Sequence, residues 1–274
     1  MGQDRVGDVR STDDALGAYP HMRGQSPVLP LVFVHGLIGS LADICTVSTL
    51  PADVVCPDLL GYGTDAEADP DSITIDAQVE YVRAIMDRAT PDTRVQIVGH
   101  SVGGVIAMVL AHRFPDRVAC VVNVEGNFTL ADAFWSAQIA GKTPAEVRDL
   151  LEADRADPAG WLRDGGVEPT GDHIRLAAEA LAYQPATTIH AMARAVVDFT
   201  GWPGYDPLLQ EVFRRTPVHL IAGSRSRSGW NVPGWAFTAA ASYTEIPHAG
   251  HMVMLEAPEA FANVLIRLCD SHDA

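Results

Sequence analysis

The sequence predicts an α/β fold: a mostly parallel sheet covered by helices on both faces, with a helical subdomain inserted into it. Three observations carry this. Short apolar runs nearly free of charge recur along the chain, as strands buried on both faces require. Segments of helical periodicity separate them. Residues 126–216 contain no convincing strand, yet strands resume afterwards. The expected organisation is a core of residues 1–126 and 216–274 with a helical insert at 127–215.

The elements follow in order. Residues 1–26, rich in Asp, Gly and Arg, show little periodicity and read as irregular. The run 28–34, bounded by Pro and Gly, reads as a buried strand, and 53–56, ending at Pro57, as the next. Apolar positions recurring at three and four predict a helix over 75–89, which leads into a strand at 95–98. Further strands are expected at 117–124, 217–223 and 242–246. Pro258 starts a last helix, 258–269, whose apolar face carries Phe261, Leu265 and Leu268. Inside the insert, helices are expected around 130–139, 144–154, 172–182 and 187–199. Asp157-Pro158, Gly165-Gly166, Gln184-Pro185 and Trp202-Pro203-Gly204 punctuate them.

Bulk properties narrow the function classes. A chain of 274 residues with 47% hydrophobic content can bury a large core. A net charge of −16 argues against nucleic acid and against an anionic membrane surface as partners. The expected partner is a small-molecule substrate, and the sequence sets no oligomeric state. The four cysteines, Cys45, Cys56, Cys120 and Cys269, are widely spaced, so neither a zinc site nor a disulfide framework is expected. Cys120, inside an apolar strand, reads as a small core residue. The polar N-terminus lacks the apolar core of a signal peptide and no apolar run reaches spanning length, so a cytoplasmic protein is expected.

The segment Val95-Gln-Ile-Val-Gly99-His100-Ser101-Val102-Gly103 carries the chemistry. It places G-x-S-x-G between a strand and an apolar helix. A sharp turn there strains the backbone at Ser101 and lifts its hydroxyl clear of the sheet. It also sets the Val102 N–H at a helix N-terminus, where developing negative charge is stabilised. The bland alternative is a glycine-rich turn closing a βα unit. A serine nucleophile needs a base. His251, in Pro247-His248-Ala249-Gly250-His251-Met252, follows the last strand and lies at the same sheet edge; His248 is its neighbouring competitor. His100 is expected to point away into the packing. His35, in Val34-His35-Gly36, reads as a loop-orienting residue with a possible substrate contact. Gly36 lets the chain bend so that the Leu37 N–H can face the same point as that of Val102.

Together these segments, with Glu256-Ala257-Pro258 after the histidine, resemble the α/β-hydrolase fold over residues 28–125 and 216–269. The resemblance implies that the helical insert is the family's cap. One departure is informative. The family's commonest acid sits in a Gly-x-x-Asp turn, which here reads Gly223-Ser224-Arg225-Ser226. A subset resembling haloalkane dehalogenases carries its acid after the strand that here ends Asn123-Val124-Glu125-Gly126, which makes Glu125 the candidate. Those enzymes use an aspartate nucleophile, so Ser101 does not imply dehalogenation. Glu256 reads as a helix-start residue. The family's usual N-terminal hairpin has little room here, so a sheet of six strands is expected.

The resulting expectation is a serine hydrolase with Ser101 as nucleophile, His251 as base, Glu125 as acid and Leu37 and Val102 as oxyanion donors. It needs no cofactor and no metal. The insert carries Phe128, Phe134, Trp135, Trp161, Tyr183, Phe199 and Trp202; Phe134 and Trp135, soon after Glu125, are the candidate substrate contacts. A capped apolar cleft suggests a medium-sized hydrophobic ester, thioester or lactone. The alternatives are acyl transfer, carbon–carbon bond hydrolysis or cofactor-free perhydrolysis on the same residues, a binding protein that does not turn over, and an interaction module. Arg225 and Arg227, in the stretch 224–234, could meet a substrate anion, although a solvated loop is the simpler expectation.

Overall fold

The computed structural model describes residues 28–41 and 50–270; the expectations for residues 1–26 and for Cys45 lie outside these. Among the described residues six strands form one sheet in the order β2-β1-β3-β4-β5-β6. They are β1 (Leu31–Val34), β2 (Val54–Val55), β3 (Val95–His100), β4 (Val118–Val124), β5 (Val218–Gly223) and β6 (Ser242–Ile246). Every neighbouring pair is parallel. The fold class matches the sequence reading, and the six described strands are the ones expected at 28–34, 53–56, 95–98, 117–124, 217–223 and 242–246.

Alternation along the strands builds two cores, because successive side chains leave a strand on opposite faces. Leu31 and Phe33 of β1 share one core with Val122, Ile221 and, from helix α11 (Pro258–Asp270), Phe261 and Leu265. Val32 and Val34 face the other core, with Val79 and Val82 of α1 (Ile75–Ala89) and most of α2 (Val102–Arg113). Helix α2 is buried from Val102 to Ala111, which explains its unbroken apolar sequence. The edge strand β6 alternates instead, with Tyr243 and Glu245 exposed.

Six helices lie between β4 and β5: α3 (Phe134–Ala140), α4 (Pro144–Ala156), α5 (Pro158–Asp164), α6 (Gly171–Ala182), α7 (Ala186–Thr200) and α8 (Tyr205–Arg215). Helix α7 packs on α3 and α4, and α5 on α6, whereas α8 packs on α2. Helix α8 is therefore part of the layer over the sheet, although the sequence boundary of 127–215 put it in the insert. Its amphipathic pattern is the same in either place, so only packing distinguishes them. Helix α5 was not anticipated because Asp157-Pro158 reads as a break. It is a start instead: Asp157 caps the helix by accepting from the Gly160 N–H at 2.8 Å, and Pro158 occupies the first turn. Two short helices, α9 (Gly234–Ala239) and α10 (Val253–Glu256), complete the described chain.

Candidate active site

The parallel register sets the site. Gly99 and His100 of β3 lie beside Asn123 and Val124 of β4, so Ser101 and Glu125 leave adjacent strands at the same edge. Gly223 ends β5 beside Ile246 of β6, and the chain then turns through residues 247–252 to His251. The loop after β1 supplies Gly36 and Leu37 to that edge. All the candidate groups thus gather at the carboxyl ends of the strands, where open α/β sheets bind ligands.

Ser101 has φ 54° and ψ −123°, a conformation that L-residues rarely adopt. Close packing holds it there. A Cβ on Gly103 would sit 2.1 Å from the Val34 carbonyl oxygen, and one on Gly99 would sit 2.4 Å from that of Gly103. Strand and helix therefore approach each other more closely than any side chain permits, and the turn between them is forced. Val102 opens α2, so its N–H belongs to a first helical turn that lacks helical acceptors.

His251 Nδ1 donates to Glu125 Oε2 at 2.8 Å. The other carboxylate oxygen, Oε1, accepts from the Gly223 N–H at 2.7 Å and from the Ser226 hydroxyl. Glu125 is only 3% exposed. Burial is the largest single influence on its acidity and works against ionisation. The hydrogen bond and charge of His251, with the bonds from Ser226 and Gly223, outweigh it and hold the carboxyl below its usual range. The turn that lacks an aspartate thus still takes part, because Gly223 and Ser226 grip the acid from the neighbouring strand. No sequence signal identified Ser226 for this role; it was seen only as the absence of a carboxylate.

Glu256 ends α10 rather than starting a helix. Its carboxylate accepts from the Gly250 N–H at 2.8 Å and pairs with Arg225, fixing the histidine loop from below. Arg225 also donates to the His248 carbonyl at 2.9 Å and to the Gly166 carbonyl of the insert at 2.6 Å. Arg227 donates to the Trp230 carbonyl and stacks over Phe237, 4.6 Å from the ring centroid. Both arginines are therefore engaged by the protein, and 224–234 is a solvated loop, as expected, that these bonds brace.

His35 does not line the cavity. It is 1% exposed, donates from Nδ1 to the Gly36 carbonyl at 2.9 Å and accepts the Leu59 N–H on Nε2 at 3.3 Å. That pairing needs the neutral ring, and burial lowers its pKa to about 4. The possible substrate contact is thus replaced by the loop-orienting role. His100 departs from expectation in the other direction. It lines the cavity, donates from Nε2 to the His251 carbonyl at 2.9 Å, and packs against the His251 ring at a tilt of 41° and a centroid distance of 4.7 Å. Asp206 of α8 accepts from Gln210 Nε2 at 2.7 Å and from Trp235 Nε1 at 3.1 Å.

Ser101, Glu125 and His251 open on one cavity of about 860 Å³ between the sheet edge and the insert. Its walls are largely apolar and include Leu37, Leu150, Trp161 and Leu255, together with the anticipated Phe134 and Trp135. Phe134 stands at its rim, 60% exposed. Helix α3 starts at Phe134, later than expected, because Asp132 holds residues 127–132 in a turn, accepting from the N–H groups of Phe128 and Thr129. Burial raises the Asp132 pKa to about 6. Among the described residues no cluster of His, Cys, Asp or Glu could hold a metal, and no helix is long and apolar enough to cross a membrane.

Comparison with known proteins bears on the family. Residues 30–164 match the family described as the alpha/beta hydrolase fold. The chain is 29% identical over 179 residues to Lipase LipV of Mycobacterium tuberculosis, covering 65% of this chain and 52% of that protein. It is also 29% identical over 259 residues to Protein ABHD8 of Homo sapiens, covering 89% of this chain and 55% of that one. The chain thus spans about half the length of these curated relatives. A solved structure from a study of Nitrososphaera gargenis carboxylesterases shares the fold with a TM-score of 0.69 at 17% identity, covering 90% of this chain and 92% of that one. Taken with the parallel six-stranded sheet and its helical layers, these matches show that the chain has the α/β-hydrolase fold.

Proposed function

We propose that this chain is a serine hydrolase that cleaves a medium-sized hydrophobic ester, thioester or lactone through an acyl-enzyme. The observation that carries the reading is the Glu125–His251 hydrogen bond, made at the rim of the cavity into which the strained Ser101 turn opens. Nδ1 of His251 gives its proton to that bond, which leaves Nε2 as the basic nitrogen for the serine. Ser101 Oγ attacks the acyl carbonyl while Nε2 takes its proton. The oxyanion is met by the N–H groups of Leu37 and Val102, each such donor being worth about 2.7–4 kcal/mol. Collapse expels the alcohol or thiol, which leaves with the proton from His251. Water then attacks the acyl-enzyme, His251 removes its proton, and the acid departs as Ser101 Oγ takes that proton back.

Glu125 stays ionised because its carboxylate takes three hydrogen bonds, so it can stabilise the imidazolium that forms at each step. The apolar walls favour a hydrophobic acyl or alcohol group over a peptide or polysaccharide, and the substrate is a small molecule. The test is intact mass after incubation with a fluorophosphonate, on wild type and Ser101→Ala, followed by turnover of p-nitrophenyl esters of increasing chain length. One adduct on wild type alone, with turnover lost in Ser101→Ala, is expected. Equal ester turnover by the two proteins would overturn the reading. Product analysis with an added alcohol or with peroxide separates hydrolysis from acyl transfer and perhydrolysis.

A further inference from the structure

The oxyanion loop is gripped from the helical insert. It runs from Gly36 to Leu41 and bends through Gly39 at φ +78°. The Gly39 N–H donates to Gln184 Oε1 at 2.8 Å. Gln184 lies in the turn between α6 and α7 and is 1% exposed. Its Nε2 donates to the Ala180 carbonyl at 3.1 Å, which fixes the amide so that its oxygen faces the loop. The turn is itself anchored, since Arg155 of α4 donates to the carbonyls of Leu181 at 2.9 Å and Gln184 at 2.8 Å. The approach is close: a Cβ on Gly39 would sit 2.8 Å from that of Ala180. The Tyr62 hydroxyl, fully buried, donates to the Leu37 carbonyl at 3.0 Å. The two bonds bracket the Leu37–Gly39 backbone. Gln184 itself is not among the residues lining the cavity.

We propose that Gln184 is a positioning residue for acyl transfer, holding the oxyanion loop in register from the helical insert. This rests on the serine-hydrolase reading above. With Gly39 tied to Gln184 and the Leu37 carbonyl tied to Tyr62, the two peptides that follow the Leu37 N–H are fixed, while His35 Nδ1 holds the Gly36 carbonyl of the peptide that carries it, so the N–H stays aimed at the point where the oxyanion forms. Removing the Gln184 acceptor leaves the Gly39 N–H buried without a partner, a state the loop relieves by turning. Oxyanion stabilisation depends on donor geometry, so the loss falls on the transition state more than on substrate binding.

The experiment compares wild type with Gln184→Leu, Gln184→Glu and Tyr62→Phe. It measures kcat and KM on an ester that wild type turns over, and Ki for a trifluoromethyl ketone. That inhibitor forms a tetrahedral oxyanion adduct with the serine. Gln184→Leu is expected to lower kcat by about 10- to 100-fold with KM within about threefold, and to raise the ketone Ki by the same factor as kcat/KM falls. Gln184→Glu keeps an acceptor for the Gly39 N–H and is expected to recover most of the rate. Tyr62→Phe, which preserves the ring, is expected to show the same paired change in kcat and Ki. A folded Gln184→Leu with wild-type kcat overturns the proposal, as does a fall in kcat with unchanged Ki. If Gln184→Leu does not fold, Tyr62→Phe and Gln184→Glu decide: wild-type behaviour of Tyr62→Phe together with full loss in Gln184→Glu overturns it. A wild type that neither takes up fluorophosphonate nor turns over an ester removes the parent reading, and this one with it. A labelled, active wild type beside an indifferent Gln184→Leu removes this one alone.

Discussion

Replacing Glu125 by glutamine tests the proposed mechanism at its most specific point. Two of the three donors on the carboxylate, the Gly223 N–H and the Ser226 hydroxyl, converge on Oε1. A glutamine in the same place must keep its oxygen toward them, so its NH₂ group faces His251 Nδ1. Two donors cannot share that contact. The imidazole gives up the Nδ1 proton and carries one on Nε2 instead, which removes the base from the nitrogen the serine needs. The corresponding carboxylate-to-amide change in a serine protease costs about 10⁴-fold in kcat. A loss of about 10³- to 10⁴-fold is expected here, or about 4–5 kcal/mol of transition-state stabilisation. The fold should tolerate the change, because the side chain is isosteric and two of its three partners are retained. The assay is kcat/KM on a p-nitrophenyl ester together with the fluorophosphonate labelling rate, with thermal unfolding as the control. A Glu125→Gln protein that hydrolyses and labels within about tenfold of wild type would refute the assignment of the acid and move the search to another carboxylate.

Other perturbations read separate parts of the structure. Gly103→Ala should destabilise the fold by about 3 kcal/mol or more, seen as loss of soluble protein, because the new methyl meets two backbone carbonyls that no rotamer change can move. Arg225→Met should cost less than about 1 kcal/mol in urea unfolding, since the pair with Glu256 is partly exposed, yet lower kcat/KM severalfold by loosening the histidine loop. Acidification should destabilise the protein. His35, lowered from 6.5 to about 4, binds fewer protons folded than unfolded, so its contribution is full above about pH 6.5 and is lost as pH falls toward 4. His100, lowered to about 3, acts in the same direction. Asp132, raised to about 6, acts in the opposite one, because the folded state takes up its proton first. The histidines outweigh it by about 1–3 kcal/mol between pH 7.5 and 5. A urea midpoint that is equal or higher at pH 5 would contradict this.

Much of the fold was legible because its signals are local. Charge-free runs marked β1 and β3 to β5, and a period of 3.6 marked α1, bounded by its Thr74 cap. The elbow was legible because G-x-S-x-G stands between a strand and an apolar helix in one βα unit, although the carbonyls that crowd Gly103 come from Val34 and His35 of the neighbouring strand end. What escaped depends on partners distant in sequence. Helix α5 was hidden because Asp-Pro reads as a break until Asp157 is seen capping Gly160. His100 looked like packing because nothing local shows that the His251 carbonyl, 151 residues away, comes to its ring. Arg225 was not legible as a brace because its partners, His248, Glu256 and Gly166, lie 23, 31 and 59 residues away. Gln184 looked like punctuation before a proline, and its bond to Gly39 spans 145 residues.

The placement of the acid yields a last prediction. The family's usual position for it ends the strand next to β4, which here is β5, followed by Ser226. In this structure the Ser226 hydroxyl already touches Glu125 Oε1, so the two positions meet at one point. The longer glutamate side chain reaches from β4 to the place that an aspartate would reach from β5. An aspartate at position 226 would therefore put its carboxylate within reach of His251 when Glu125 is neutral. Added alone, Ser226→Asp should be harmful: two carboxylates in contact cannot both ionise cheaply, so one is driven to hold a proton and the histidine loop is strained. Combined with Glu125→Gln, the same change should recover about tenfold or more of the lost kcat, since the amide can then donate to the new carboxylate while that carboxylate accepts from His251 Nδ1. Non-additivity of this sign, measured as kcat/KM across wild type, the two single variants and the double, would show that the acid is defined by the point in space beside His251 and not by the strand that supplies it. A double variant no better than Glu125→Gln would show that the backbone after β5 cannot deliver a carboxylate there, and that Ser226 serves only to hold Glu125.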